Sequence, residues 1–375
     1  MPFKFEILYE SKKSRARVGK IHTPHGTIDT PNFVAVGTNG TIKALDHAAV
    51  SQIGVQLMFC NTYHLIVQPG VQVVKNVGGL HKFIQRNLPI ITDSGGFQVF
   101  SLAYGSVADE LKSKGTKKNK ELVLKINEEG VLFRSYRDGS KILLTPETSI
   151  AAQKDLGADI MIAFDELPPY HVKNDSLKRS LERTHRWEER SLDFHLKNPK
   201  GQAMYAVVHG GVDLTLRKTS CDFLTRLPFD GFAIGGSMGK TKQEMLSMLE
   251  QTLPYLPKEK PNHLLGIGDL ESIDGCIPLG IDTFDSSYPT RAARHGIVFT
   301  KAGPLKLTKA DHAMRFSPIE KECTCATCSQ HHFAYLHHLF KAKELSALTL
   351  ATIHNLHFMV QQMASYRQMI LNDEL

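Results

Sequence analysis

No apolar run in this 375-residue chain approaches the ~18 residues that cross a bilayer, so no membrane-spanning helix is expected. The opening residues, Met-Pro-Phe-Lys-Phe-Glu, lack the apolar core of an export signal. Cysteine is scarce: there are six, and three of them fall between Cys323 and Cys328. That crowding excludes a disulfide framework and fits a reducing cytosol, so the chain is expected to be cytoplasmic. Cys60, Cys221 and Cys276 stand singly and read as small buried hydrophobes. No internal repeat or low-complexity tract is evident. Nothing resembles a phosphate loop or a Ser/His/Asp triad. Glycine-rich patches such as Gly235-Gly236-Ser237 are too short for a dinucleotide fingerprint.

What is present is ordinary in bulk. Apolar residues make up 42% and charged residues 22%, which suits a globular chain and excludes wholesale disorder. A formal net charge of +7 permits a polyanionic partner without demanding one. Five lysines crowd the stretch Lys112-Ser-Lys114-Gly-Thr-Lys117-Lys118-Asn-Lys120. Alone it reads as a solvated loop; beside a nucleic-acid site it would contact phosphate.

Short apolar runs alternate with amphipathic stretches. Strands are expected near 33–36, 56–60, 89–92, 160–164, 205–208, 231–234, 263–267 and 283–284. Helices are expected over 146–156, after a threonine cap, and over 175–196, 242–253 and 345–369. Eight strands with helical crossovers favour a (β/α)8 barrel, the TIM-barrel architecture, over a doubly wound sheet. Polar residues follow the strand runs directly: Asp93, Asp165, His209-Gly210-Gly211, Gly235-Gly236 and Asp285. In a barrel these positions converge on the C-terminal face, where active sites are built. The expected division is a catalytic barrel with N-terminal strands over 1–310, then a zinc-binding insert and C-terminal helix over 311–375.

Cys323, Cys325 and Cys328 can grip one tetrahedral Zn²⁺ if a histidine closes the shell. His354 would pin a later helix to the thiols, and His331, His332, His337, His338 and His357 compete for the place. A closed shell of this kind is structural, because catalytic zinc needs an open position. The chemistry therefore rests on three acids. Asp93 stands in Asp93-Ser94-Gly95-Gly96-Phe97-Gln98, where the glycines admit a ligand to the backbone or the segment simply starts a helix. Asp165, in Phe164-Asp165-Glu166, can accept from two adjacent N–H donors of a guanine-like edge or form a rim salt bridge. Asp285 precedes a segment with two arginines, Arg291 and Arg294, that suit phosphate. Two carboxylates on facing strand ends fit a glycosidic double displacement.

These residues, taken in order, resemble the tRNA-guanine transglycosylases, or queuine tRNA-ribosyltransferases, of the bacterial type and chlamydial members most of all. The similarity includes 19–40, Asn61-Thr-Tyr-His-Leu65 with Pro69-Gly70, 93–98, 164–166, 209–211, 233–236, 266–268, Asp285, 289–296 and the zinc ligands. The resemblance implies a transferase that exchanges guanine at the anticodon wobble position of GUN-anticodon tRNAs (those for aspartate, asparagine, histidine and tyrosine). The incoming base would be queuine or preQ1. Asp285 would be the nucleophile on ribose C1′ and Asp93 the general acid/base, with Asn61 and Thr62 in support. Asp93, Ser94, Gly95, Gly96, Phe97, Asp165, His209, Gly235 and Gly236 would bind the base. Gly266, Ile267, Gly268, Asp269, Leu270, Glu271 and Ser272, with Thr290, Arg291, Ala292, Ala293 and Arg294, would contact RNA. Cys323, Cys325, Cys328 and His354 would hold one structural zinc, and the family implies a homodimer with the zinc region near the interface.

The chain departs from the family in ways that bear on the base. His209 stands where glutamine is usual, and Ser237-Met238-Gly239-Lys240 forms a shortened loop that lacks the usual glutamate. Lys240 has donors and no acceptor, so it cannot support the aminomethyl group of preQ1. Leu167, Ser286 and Ala292 replace Cys, Cys and Asn. Queuine is accordingly the expected base. The competing class is a non-catalytic tRNA-binding accessory subunit, which the three acids argue against. An archaeosine-type enzyme would need a further RNA-binding module after Leu375, and none is expected. A barrel metal hydrolase would need an open metal site.

Overall fold

The computed structural model describes residues 2–105 and 121–375. The lysine-bearing stretch 112–120 lies outside the described residues. Three antiparallel strands come first, β1 (Lys4–Glu10), β2 (Arg17–Thr23) and β3 (Gly26–Thr30). The barrel begins with β4 (Asn32–Val36), β5 (Met58–Cys60) and β6 (Ile90–Thr92). A small antiparallel sheet follows, β7 (Val123–Ile126), β8 (Val131–Arg134) and β9 (Lys141–Leu144). The barrel resumes with β10 (Ile160–Ile162), β11 (Ala203–Val208), β12 (Gly231–Ile234), β13 (Asn262–Leu264) and β14 (Thr283–Ser286). β14 pairs in parallel with β4 and closes a barrel of eight parallel strands. The eight strand runs read from the sequence are the eight barrel strands. The doubly wound sheet is set aside by that closure.

Alternation along each strand divides its side chains between two cores. Val34, Phe59, Ile91, Ile160, Ile162, Tyr205, Val207 and Ala233 fill the barrel interior. Phe33, Ala35, Met58, Ile90, Met161, Met204, Ala206 and Phe232 face the surrounding helices. Ile21 and Ile28 of the N-terminal sheet join the interior cluster, so that sheet plugs one end. Each such buried aliphatic side chain contributes about 1.5–3 kcal/mol.

Two buried acids lock the plugged end. Asp282 receives Arg17 Nε at 2.8 Å and Nη2 at 2.6 Å, tying β2 to the start of β14. Asp159 accepts from Ile90 N at 2.9 Å and lies 2.7 Å from His25 Nδ1 and 3.1 Å from His81 Nε2. The two imidazoles stack with centroids 3.5 Å apart.

The helices form where the pattern predicts them, with ends shifted by a residue or two. Thr145 caps Pro146–Leu156 through Thr148 N, and a 23-residue helix spans Asn174–Leu196. The helix Leu345–Leu371 packs along the barrel, with Leu356, Met359, Met363 and Ile370 in the outer core. No helix among the described residues is long and apolar enough to cross a membrane. Cys60, Cys221 and Cys276 are buried, as expected of small hydrophobes.

Candidate active site

Alternation also decides what reaches the open end. Asp285 lies two residues after Thr283 and faces inward, as does His263 on β13. Asp285 Oδ1 accepts from Gly266 N at 2.8 Å and lies 3.2 Å from His263 Nε2. His263 is fully buried, stacks on Phe59, and sets its Nδ1 2.8 Å from Thr283 Oγ1. A hydroxyl that donates to Nδ1 leaves the imidazole proton on Nε2, facing the carboxylate. Oδ2 of Asp285 has no hydrogen-bond partner among the described residues. One oxygen is held and the other is left for a ligand.

Asp93 stands at the end of β6, three strands around the barrel from β14. It is buried, with Oδ2 accepting from Asn61 Nδ2 at 2.6 Å and Oδ1 from Thr62 N at 2.7 Å. Thr62 Oγ1 donates to the Asp93 carbonyl at 2.5 Å. Burial outweighs these donors and raises the Asp93 carboxyl to about 6, with the Asp165 charge adding to the shift.

Asp165 completes the group. Ser94 Oγ donates to its Oδ1 at 2.8 Å, and His209 Nε2 lies 2.8 Å from its Oδ2. A Cβ at Gly96 would stand 2.4 Å from the Asp165 carbonyl, so only glycine allows this approach. Gly95 adopts φ 87° ahead of the helix Gly96–Tyr104, and Phe97 leaves that helix 46% exposed at the rim. Glu166 makes the rim salt bridge instead, to Arg183 Nη1 at 2.8 Å.

Gly235 and Gly236 follow β12, and Gly236 has φ 79°. Arg217, fully buried, pins the neighbouring loops by donating to the carbonyls of Val208, Gly211 and Ser237. Burial lowers it to about 10, still charged at neutral pH. The shortened loop is steadied by Glu244, whose Oε2 accepts from Lys240 N at 2.6 Å while Lys240 Nζ sits 4.8 Å over the Tyr170 ring. Within 266–272, Gly266 and Glu271 are exposed, Asp269 caps a helix through Ser272, and Lys242 bridges Asp269 and Glu271. Within 290–294, Thr290, Ala292 and Ala293 are buried; Arg291 is exposed and Arg294 partly so.

Sequence reasoning missed His263, the Gly266 N–H and the Ser94–Asp165 bond. The first had a usable signal, since strand alternation puts His263 on the face that Asp285 shares.

The cysteine cluster lies apart from the carboxylates. Cys323, Cys325, Cys328 and His354 bring one ligand atom each to within 4.8 Å of one another. His354 Nδ1 lies 3.7, 3.6 and 3.3 Å from the sulfurs of Cys323, Cys325 and Cys328. A tetrahedral ion with zinc-like bond lengths separates sulfur and nitrogen by about 3.6 Å, so the four residues fit such an ion. His354 Nε2 lies 2.7 Å from the Phe299 carbonyl, which fixes the tautomer that leaves Nδ1 free to bind. Of the other candidate histidines, His332 caps a helix, His337 meets the Leu307 carbonyl, His357 meets Thr324 and the His331 ring packs on Tyr335, and none of the five joins the four-ligand group.

Comparison with known proteins follows the same lines. A family model described as queuine tRNA-ribosyltransferase matches residues 11–375. The chain is 71% identical over 371 residues to a Queuine tRNA-ribosyltransferase of Protochlamydia amoebophila, covering 99% of this chain and 96% of that protein. It is 56% identical over 377 residues to that of Chlamydia caviae, covering all of both. With the protein of that name in Chlamydia trachomatis serovar D the identity is 55% over 377 residues.

Elemental analysis of the purified chain should find one metal ion per chain. Cys328→Ser should lose it and lower the thermal unfolding midpoint, since one thiol is a quarter of the shell. A variant that keeps its metal and its midpoint contradicts the assignment of these four ligands.

Proposed function

This chain belongs to the queuine tRNA-ribosyltransferase family of tRNA-guanine transglycosylases, and from that premise we propose that it exchanges guanine at the wobble position of GUN-anticodon tRNAs for queuine. The reaction runs by double displacement through a covalent Asp285–ribose intermediate. The observation that carries this reading is the Asp285 carboxylate, with Oδ1 held by Gly266 N and His263 and Oδ2 without a hydrogen-bond partner among the described residues.

In the first half, Asp285 Oδ2 attacks ribose C1′ as the C1′–N9 bond to guanine breaks. The Asp93 carboxyl gives its proton to N9 of the departing base. In the second half, the incoming base attacks C1′, the bond to Asp285 breaks, and the Asp93 carboxylate takes the N9 proton. Two inversions give net retention. A carboxyl raised to about 6 can serve both directions near neutral pH.

Asp165 reads the N1–H and N2–H edge, held in place by Ser94 and His209. Gly236 N–H faces the base carbonyl, and the exposed Phe97 ring stacks on the base. Arg291 and Arg294, the charged members of 290–294, take phosphate. The metal in the Cys323, Cys325, Cys328 and His354 site is zinc, given three thiolates and one imidazole. It holds structure and touches none of the reacting atoms. A homodimer is assigned through the C-terminal region, where Met314, Phe316 and Leu345 are 76%, 68% and 78% exposed. The enzyme works in the cytoplasm, where its tRNA is.

Two measurements test these assignments. With GUN-anticodon tRNA and labelled bases, queuine should be incorporated and preQ1 little or not at all; efficient preQ1 use without queuine would sink the choice of base. Single-turnover guanine release should follow the protonated fraction of Asp93, flat below about pH 6 and falling about tenfold per unit above it. Attack by the incoming base on the preformed intermediate should show the opposite slope. Asp93→Asn should slow both halves by about 10²–10⁴ and flatten both profiles; unchanged pH profiles in the variant contradict the role.

A further inference from the structure

Strands β13 and β14 run in parallel with His263 and Thr283 in register, so the two side chains meet on the inner wall of the barrel. Both residues are buried. Asp285 is the next residue of β14 on that face. The three side chains form a line. Thr283 Oγ1 lies 2.8 Å from His263 Nδ1, and His263 Nε2 lies 3.2 Å from Asp285 Oδ1. The Phe59 ring lies alongside the imidazole, with the two planes 14° apart.

Each member of the line fixes the next. A carboxylate only accepts, so Nε2 brings the imidazole proton to Oδ1, and Thr283 Oγ1 donates to Nδ1. The Thr283 hydroxyl has no other hydrogen-bond partner among the described residues. Oδ1 of Asp285 thus takes two donors, Gly266 N–H and His263 Nε2–H, while Oδ2 takes none. Asp282, three residues earlier, instead receives the Arg17 guanidinium on both oxygens and is held as a lock. Asp285 is oriented through one oxygen only, by an amide and an imidazole.

We propose that His263, itself oriented by Thr283, is a positioning residue that sets the energy of the covalent intermediate relative to the free carboxylate. The role rests on the base-exchange reading and deepens it. As the Oδ2–C1′ bond forms, the electron pair of the C1′–N9 bond leaves with the base, which takes the Asp93 proton. Asp285 passes from an anion to a neutral ester, and Oδ1 becomes the ester carbonyl. A hydrogen bond to an ionised acceptor is roughly twice as strong as one to a neutral acceptor. His263 therefore holds the free carboxylate more tightly than the ester. It draws the equilibrium back from the intermediate. It also stabilises the carboxylate that departs when the incoming base bonds C1′ and gives its N9 proton to Asp93.

The test uses the full chain with saturating GUN-anticodon tRNA and reads the guanine concentration that halves the trapped adduct. Guanine dissolves the adduct by reversing the first half, and this midpoint does not depend on how much enzyme is folded. His263→Phe removes the donor, so the midpoint should rise about tenfold. His263→Gln, whose amide donates from about the same place, should recover most of that change. Thr283→Val leaves Nδ1 without its donor and should raise the midpoint too, by less. A midpoint in His263→Phe that is unchanged or lower overturns the role, since an Asp285 that is merely misplaced holds less adduct. So does a His263→Gln midpoint as high as that of His263→Phe. If the His263 variants do not fold, Thr283→Val decides, and an unmoved or lowered midpoint there overturns the role. Wild type that forms no adduct at all would instead remove the base-exchange reading, and this role with it.

Discussion

Closure of eight parallel strands leaves each side chain only two destinations, and the rest of this molecule depends on that division. Side chains that point outward meet helices, and those that point inward meet one another. The middle of the interior is apolar. Polar inward residues are therefore pushed to its two ends, and the ends are finished differently. At the plugged end Asp159 and Asp282 are saturated by histidine, arginine and backbone donors, so they hold elements together. At the open end Asp285 keeps one oxygen without a partner among the described residues, and Asp93, held by the neutral donors Asn61 and Thr62, is raised to about 6 by burial. The same residue type serves as a lock at one end and is left less completely compensated at the other, and the charge of its partners, not their number alone, makes the difference.

The C-terminal segment connects to that chemistry through the backbone. His354 faces the three thiols with one nitrogen and the Phe299 carbonyl with the other. Its neighbour Asn355 donates to the carbonyls of Pro289 and Ile297 and accepts from Phe299 N. Cys325 and Cys328 share an apolar cluster with Ala293, which lies between Arg291 and Arg294. The helix that carries His354 and Asn355, with the cysteine cluster, thus braces the stretch that starts four residues after Asp285.

Much of this was legible because barrel strands are short buried runs and the acids follow them directly. The limits of legibility lie at the ends of elements. Gln56 reads as strand, but its side chain is spent on Asp29 and Asn32, and β5 starts two residues later. The run 263–267 stops at Leu264 because the Gly266 N–H turns toward Asp285. The sheet β7–β9 is not evident in the sequence, since its four-residue strands bury only one or two side chains each. Thiol spacing left six histidines open for the fourth position, and only packing of the helix Leu345–Leu371 brings His354 to the sulfurs. The donors that hold the acids were hardest to read. A backbone N–H leaves no mark in a sequence, and Ser94 looks like a helix cap until its hydroxyl is seen on Asp165.

The account stands on Asp285 as the atom that takes the ribose. Its most direct test is the mass of the protein after incubation with GUN-anticodon tRNA and denaturing quench, in wild type and in Asp285→Asn. The account predicts a tRNA–protein adduct in wild type that maps to Asp285, dissolves when free base is added, and is absent from the variant. An adduct that persists in Asp285→Asn, or one that maps to Asp93, would contradict it.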